Sequence, residues 1–157
     1  MSATPEQIEQ WRDDTAEHIA KVQKAMVQML DNLYARATVH DASKLKEPEL
    51  SGYAALEARL DAVQYGTPEY AAALEEGKEP IAAHYAANSH HPQHYENGIA
   101  GMSLLDILEM FCDWYAAGQR TKGGSLKRSL EVNRTRFGAD PLLAQIFENT
   151  RIEMEWD

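Results

Sequence analysis

The chain has 157 residues, a single cysteine and a formal charge of −10 at pH 7. This length suits one domain with its own apolar core, and such a strongly acidic chain is a poor partner for duplex nucleic acid, whose binding requires phosphate neutralisation. The N-terminus carries acids where a leader would be apolar, and no apolar run approaches the roughly 20 residues of a membrane span, so we expect a cytoplasmic protein.

Helical periodicity runs through almost the whole sequence and strand-like alternation is nearly absent, which predicts an all-α, single-domain bundle of six or seven helices over residues 1–157. The first helix is expected from Pro5 to Ala37. Its apolar positions form one stripe, which predicts a buried face made of Ile8, Trp11, Ile19, Val22, Met26, Leu30 and Leu33. His18 lies on or beside this stripe, where it is either a ligand or a satisfied core histidine.

Proline, glycine and capping residues divide the middle of the chain. A second helix is expected from Pro48 to Gly66, and a third from the cap Thr67 to Gly77. The fourth begins near Pro80 and must end near His90, because Pro92 disfavours helix at the residue before it. Residues 91–101 then form the longest irregular connection, and such connections often carry function.

The fifth helix, from Met102 to about Gln119, is the most apolar part of the sequence. Cys112 lies within it, which predicts a buried, reduced thiol. Two glycines then lead into a helix from Ser125 to Phe137, and Asp140 with the following proline opens the last helix.

Basic residues are concentrated in one segment. Between Arg120 and Arg136 there are six basic residues and one acid, in a chain that is otherwise strongly acidic. This segment, with Arg120 and Lys122 at its start, predicts either a subsite for a small anion such as phosphate or an ordinary solvated helix face.

All six histidines lie between His18 and His94, and three of them fall within the string HHPQH. His84 and His91 are spaced so that both imidazoles could project from one helix face. The doublet His40-Asp41 lies where a helix meets a loop, and there Asp41 or Ser43 could alternatively serve as a helix cap.

Three carboxylates on the fifth helix share one face, because Asp106, Glu109 and Asp113 follow at steps of three and four. Like charges stacked in this way repel one another, so they need either a cation or solvent. The ordinary alternative is an acidic stripe that faces water.

Together, the histidines and carboxylates predict a metal centre. Imidazole and carboxylate donors suit Mn, Fe, Co, Ni or Zn better than Mg. Five or six candidate ligands exceed the needs of one tetrahedral zinc ion, so we expect one or two divalent ions.

The order of these residues resembles the HD-domain superfamily of metal-dependent phosphohydrolases, which is all-α. The resemblance rests on an early histidine, the doublet His40-Asp41, two later histidines and a final Asp113. The strings HDASKL, NSHHPQHY and EMFCDW are similar, more closely, to a phage-associated family of small uncharacterised proteins without an established activity.

The superfamily resemblance implies a role for each residue. The ligands of the first ion would be His18, His40, Asp41 and Asp113, and those of the second would be His84 with His90 or His91. Asp113 is preferred to Asp106 because the small residues that follow it resemble the superfamily pattern. Lys44 would contact a substrate phosphate, and Glu109 would act as acid/base or hold the attacking water. Ser43 departs from the glycine that is usual at its position.

These observations predict a phosphohydrolase that acts on a nucleotide or related small phosphate ester through a metal-activated hydroxide. His94, Arg120 and Lys122 are the candidate substrate-binding residues. Two alternatives remain open: a di-iron oxygenase on the same scaffold, and a non-enzymatic phage-type module that binds a protein and retains a degenerate metal site. If the chain is phage-encoded, the expected compartment is the host cytoplasm. Homo-oligomerisation is left open.

Overall fold

A computed structural model describes residues 2–63, 67–120 and 124–156. Within these ranges the chain is helical and contains no strand, which confirms the all-α prediction. The α-helices are α1 (Pro5–Val39), α2 (Glu49–Asp61), α3 (Pro68–Glu76), α4 (Lys78–Ala87), α5 (Leu104–Arg120), α6 (Leu126–Phe137) and α7 (Pro141–Glu153). Three short 3-10 helices lie at Ala42–Leu45, Pro92–His94 and Gly98–Gly101. No helix in the described ranges is both long and apolar enough to cross a membrane.

The chain forms two compact units, one up to Thr38 and one from Val39 onward. The first unit is a single helix, and it begins at a reciprocal cap. The backbone N–H of Gln7 donates to Thr4 Oγ1, and the Gln7 side chain accepts from the backbone N–H of Thr4. The prediction of a single domain over the whole chain stays a prediction.

The predicted buried stripe of α1 is wrong, because six of its seven apolar side chains are exposed and Leu33 is only half-buried. Trp11 is 71% exposed and Leu30 is 62% exposed, and none of the described residues of α1 is buried. Within its own unit this helix has no second element against which the stripe could pack. The periodicity therefore identified an apolar face without showing what covers it.

The core of the second unit lies where α5, α6 and α7 meet. Its buried side chains are Met110, Phe111, Leu126 and Phe147, and the rings of Phe111 and Phe147 stack with centroids 5.1 Å apart. Cys112, the residue after Phe111, is exposed, so the predicted buried thiol is wrong. Position 112 simply lies off the helix face that carries the core.

The predicted cap Thr67 and the predicted helix starts at Ser125 and Asp140 are confirmed. Thr67, Ser125 and Asp140 each accept a backbone N–H from the first turn of the helix that follows. α2 is shorter than predicted, ending at Asp61, and residues 64–66 lie outside the described ranges. α4 ends at Ala87, three residues before the predicted end.

A close approach of two helices fixes the position of α4. A Cβ atom on Gly52 of α2 would lie 2.6 Å from Pro80 Cβ of α4, so only glycine allows this packing distance. One turn before Gly52 on α2 and one turn after Pro80 on α4, Glu49 and His84 meet as a hydrogen-bonded pair. The packing of α2 on α4 therefore sets one wall of the site.

Candidate metal centre

Asp41 lies at the centre of the site and has a special backbone conformation. Its φ of 55° and ψ of 13° are left-handed, a conformation that Asp and Asn tolerate better than most residues. It stands at the N-cap position of the 3-10 helix Ala42–Leu45, yet its side chain makes no capping hydrogen bond. The carboxylate turns instead into a group of histidines, so the alternative of Asp41 as a side-chain cap is wrong.

Four side chains form what we call the inner subsite: Asp41, His84, His90 and His91. One ligand atom from each lies within 4.8 Å of the others. Asp41 Oδ1 is 3.2 Å from His84 Nε2 and 3.4 Å from His90 Nε2, and the Nε2 atoms of His84 and His91 are 2.9 Å apart. His84 and His90 are almost completely buried. Both histidines of the doublet at 90 and 91 therefore belong to the group.

Three side chains form the outer subsite: His40, Asp41 and Asp113. His40 Nε2 lies 3.7 Å from Asp41 Oδ2 and 3.7 Å from Asp113 Oδ1. Lys44 Nζ also reaches Asp41 Oδ2, at 2.5 Å. Asp41 is thus common to both subsites, with one carboxylate oxygen toward each.

Glu109 orients two imidazoles. Its Oε1 accepts from Nδ1 of His40 at 2.9 Å and from Nδ1 of His90 at 3.1 Å. A carboxylate oxygen can only accept, so each ring carries a proton on Nδ1 and directs Nε2 away from Glu109. Glu109, His40 and His90 also lie close enough together to hold an ion. The hydrogen bonds from the two Nδ1–H groups to Glu109 account for this proximity without one. The catalytic role of Glu109 stays a prediction.

Glu49 orients the imidazole of His84 in the same way that Glu109 orients His40 and His90. The sequence alone did not point to this residue. Its Oε2 accepts from His84 Nδ1 at 2.9 Å and from Ser43 Oγ at 3.0 Å, and Glu49 is only 5% exposed. A glutamate in a first helical turn is commonplace, so its sequence position gives little signal. Its burial beside an imidazole is the feature that identifies it.

Three of the four histidines in the two subsites share an arrangement. In His40, His84 and His90 the Nδ1–H bonds to a glutamate, and Nε2 faces the candidate ion position. Metal-binding histidines commonly have this pairing, because a carboxylate at one nitrogen fixes the ring and increases the basicity of the other.

Burial and neighbouring charges shift the pKa values of several side chains in the site. The nearby carboxylate of Asp113, joined by the hydrogen bond to Glu109, raises the pKa of His40 to about 9, although burial opposes the shift. Burial would raise the pKa of Asp41, but the nearby imidazoles of His84 and His90 and the Lys44 ammonium outweigh burial and lower it. Burial, with the neighbouring His90 and His84, lowers the pKa of His91 to about 3. His91 is therefore neutral, as a ligand must be, at pH 7.

Two buried atoms of the inner subsite have no hydrogen-bond partner, and a bound metal ion would supply one. They are Asp41 Oδ1 and His90 Nε2, which face each other at 3.4 Å. Buried polar atoms are rarely left unsatisfied. For bonds of about 2.1 Å, donor atoms around one ion lie about 3.0 Å apart in octahedral and 3.4 Å apart in tetrahedral geometry. The three inner separations given above, 2.9, 3.2 and 3.4 Å, lie close to these values, so the residues fit a divalent ion.

Asp106, the alternative to Asp113 as a ligand, has a different role. Its carboxylate accepts from Ser89 Oγ, Tyr95 OH, and both the backbone N–H and the Oγ of Ser103. These bonds tie both sides of the connection that carries His90 and His91 to the start of α5. Asp106 is absent from the groups of described residues that could hold an ion.

The remaining predicted residues are more scattered. His18 lies on α1 in the first unit and is exposed, and its role as a ligand stays a prediction. His94 is exposed, and its Nδ1 donates to the Tyr85 carbonyl oxygen. Arg120 is exposed beside Glu57, and Lys122 lies outside the described residues. Substrate contacts by His94, Arg120 and Lys122 remain predictions.

Comparison with known proteins places the chain in one family. A model of DUF5662, a family of unknown function, matches residues 7–152. The match covers most of the chain, which therefore belongs to this family, and it carries no activity with it. Neither a curated protein nor a solved structure matches the chain.

Proposed function

We propose that this DUF5662 protein is a metal-dependent phosphohydrolase that acts on a nucleotide or related small phosphate ester. The supporting observation is the pair of subsites that share Asp41, one on each carboxylate oxygen. Sites with two ions about 4 Å apart recur in phosphatases and nucleases, where the ions activate water and neutralise charge on phosphoryl oxygens. Mn, Fe, Co, Ni and Zn suit the mixture of imidazoles and carboxylates better than Mg.

The chain's own residues divide the work of such a reaction. Glu49 and Glu109 hold imidazoles in the tautomer that leaves Nε2 free to bind an ion. Lys44 is 35% exposed at its side chain and lies beside Asp41, so its ammonium can move to a phosphate oxygen of a bound substrate. Asp113, whose Oδ1 belongs to the outer subsite, would accept a proton from the attacking water through its other oxygen.

The test is phosphate release from a broad panel of nucleotides by protein loaded separately with Mn, Co, Fe, Ni and Zn. We expect activity with at least one ion, lost in the double variant His40→Ala, Asp41→Asn. The matched control is Glu57→Gln, which changes an exposed carboxylate on α2 and should leave the rate unchanged. If metal-loaded protein releases no phosphate from any substrate, the proposal is wrong.

A second candidate function uses the same donors. Four imidazoles with carboxylates would also hold two iron ions, which could activate dioxygen instead of water. Anaerobic loading with ferrous iron, followed by an optical change on admission of air, would favour this oxygenase. Absence of stoichiometric metal in every preparation would instead favour a non-enzymatic module with a degenerate site.

A further inference from the structure

The two oxygens of Asp41 have different neighbours. Oδ1 faces the buried imidazoles of His84 and His90 and has no hydrogen-bond partner. Oδ2 faces His40 and already binds a cation, the Lys44 ammonium, at 2.5 Å. The carboxylate is therefore open to a metal ion on one side and neutralised on the other.

The distances between ligand atoms also differ between the two subsites, being shorter in the inner one. In the inner subsite, the separations of His84 from His91 and of Asp41 from His84 and His90 are 2.9–3.4 Å, as they would be around one ion. In the outer subsite, His40 Nε2 is 3.7 Å from both the Asp41 and the Asp113 oxygen, so these donors must draw together to bind one. The inner subsite is preorganised, whereas the outer subsite is wider and has Lys44 in contact with one of its ligand atoms.

An ion at the outer subsite and the Lys44 ammonium would compete for the same oxygen. A divalent ion bound at Oδ2 repels a positive charge held a few ångströms away, so Lys44 must leave before the ion is stable. Its side chain is long and partly exposed, so it can swing outward. Once displaced, it is a free phosphate-binding group at the edge of the centre.

We propose that the centre loads in two unequal steps and that Lys44 controls the second. The inner ion binds first and tightly, while Lys44 occupies Oδ2. The outer ion binds well only when a phosphate group draws the ammonium away, so that this ion and the phosphate strengthen each other's binding. The inference rests on the proposed metal centre, and it adds that the outer ion is acquired together with the phosphate-bearing substrate.

The coupling between the outer ion and phosphate can be measured from either side. If phosphate strengthens binding of the outer ion, then the outer ion strengthens binding of phosphate by the same factor, and couplings of this kind are typically about 5–150-fold. Removal of the ammonium should have part of the same effect without any phosphate. Lys44→Met removes the charge and keeps most of the side-chain volume.

The experiment is an equilibrium titration of the metal-free full-length protein with Mn²⁺, with and without inorganic phosphate at matched ionic strength. We expect two steps in the wild-type protein, with the second strengthened at least fivefold by phosphate. In Lys44→Met the second step should be at least fivefold tighter without phosphate and respond less to it, with the first step unchanged. Lys44→Arg should retain the wild-type pattern, as should the control Lys46→Met, which changes an exposed lysine nearby.

The outcomes separate the two proposals. Failure to bind any metal would contradict the metal centre itself. Two ions that bind with equal affinity, or a second step that is unaffected by Lys44→Met, would overturn the role of Lys44 and leave the centre intact. The first step also reports folding of each variant, because it requires the buried inner subsite.

Discussion

Removal of the Glu49 carboxylate should weaken metal binding although Glu49 is not a ligand. Its Oε2 accepts the proton of His84 Nδ1, which leaves Nε2 directed at Asp41 and His91. Loss of such a partner typically lowers metal affinity 10–100-fold, or about 1.4–2.7 kcal/mol. Glu49→Gln keeps an acceptor and loses the charge, so we expect a change near tenfold. Glu49→Leu leaves the imidazole N–H with only the more distant Ser43 Oγ, at 3.4 Å, so we expect a change nearer a hundredfold.

Competition with a coloured chelator at constant pH would measure both affinities. Circular dichroism should show that each variant retains its helices. Glu57→Gln, on the same helix and exposed, is the matched control and should bind metal as the wild type does. If both Glu49 variants stay folded and bind metal with wild-type affinity, then Glu49 does not orient His84 and the interpretation of the inner subsite fails.

Three further changes test other parts of the site. An ion present at a hundredfold excess over its Kd adds about 2.7 kcal/mol of stability, so thermal unfolding should shift upward by about 5–10 °C and return on chelation. Because the pKa of His40 is raised to about 9, the metal-free imidazole is protonated at pH 7. The affinity of the outer subsite for its ion should therefore rise as pH increases from 7 to 9 and then level off. Calorimetry in buffers of different ionisation enthalpy should detect one proton released on binding. An affinity that does not change with pH would contradict the assignment of His40 as a ligand. Gly52→Ala should push α2 away from Pro80. We expect it to lower the free energy of unfolding by about 1–3 kcal/mol in a denaturant titration and to weaken metal binding. An unchanged stability and metal affinity would show that the two helices can separate freely.

Much of the fold could be predicted from local signals, because caps and helix breakers act over a few residues. Thr67, Ser125 and Asp140 fix helix starts through bonds to their own first turns. The exposed stripe of α1 could not be predicted in this way. Periodicity indicates that a helix has an apolar face, but what covers that face depends on long-range packing.

Much of the candidate site was also visible in the sequence, and the reason is chemical. Buried imidazoles are uncommon enough that several of them with an Asp point to a metal. Glu49 was missed because its role depends on the packing of α2 on α4, which brings it to His84 across 35 positions of sequence. Spacing alone could not show which of Asp106 and Asp113 is the ligand. Only the folded chain shows that the Asp106 carboxylate accepts hydrogen bonds from Ser103 and from residues near it.

The left-handed backbone of Asp41 affects how mutagenesis of the site must be interpreted. A residue with a Cβ atom is strained in this conformation, with Asn and Asp the least affected and glycine not affected at all. Asp41→Ala would therefore alter both the local fold and the ligand, and its loss of function would be ambiguous. Asp41→Asn preserves the conformation and removes only the charge, whereas Asp41→Gly relaxes the conformation and removes the ligand. Comparison of these two separates electrostatics from backbone geometry at the residue that joins the two subsites.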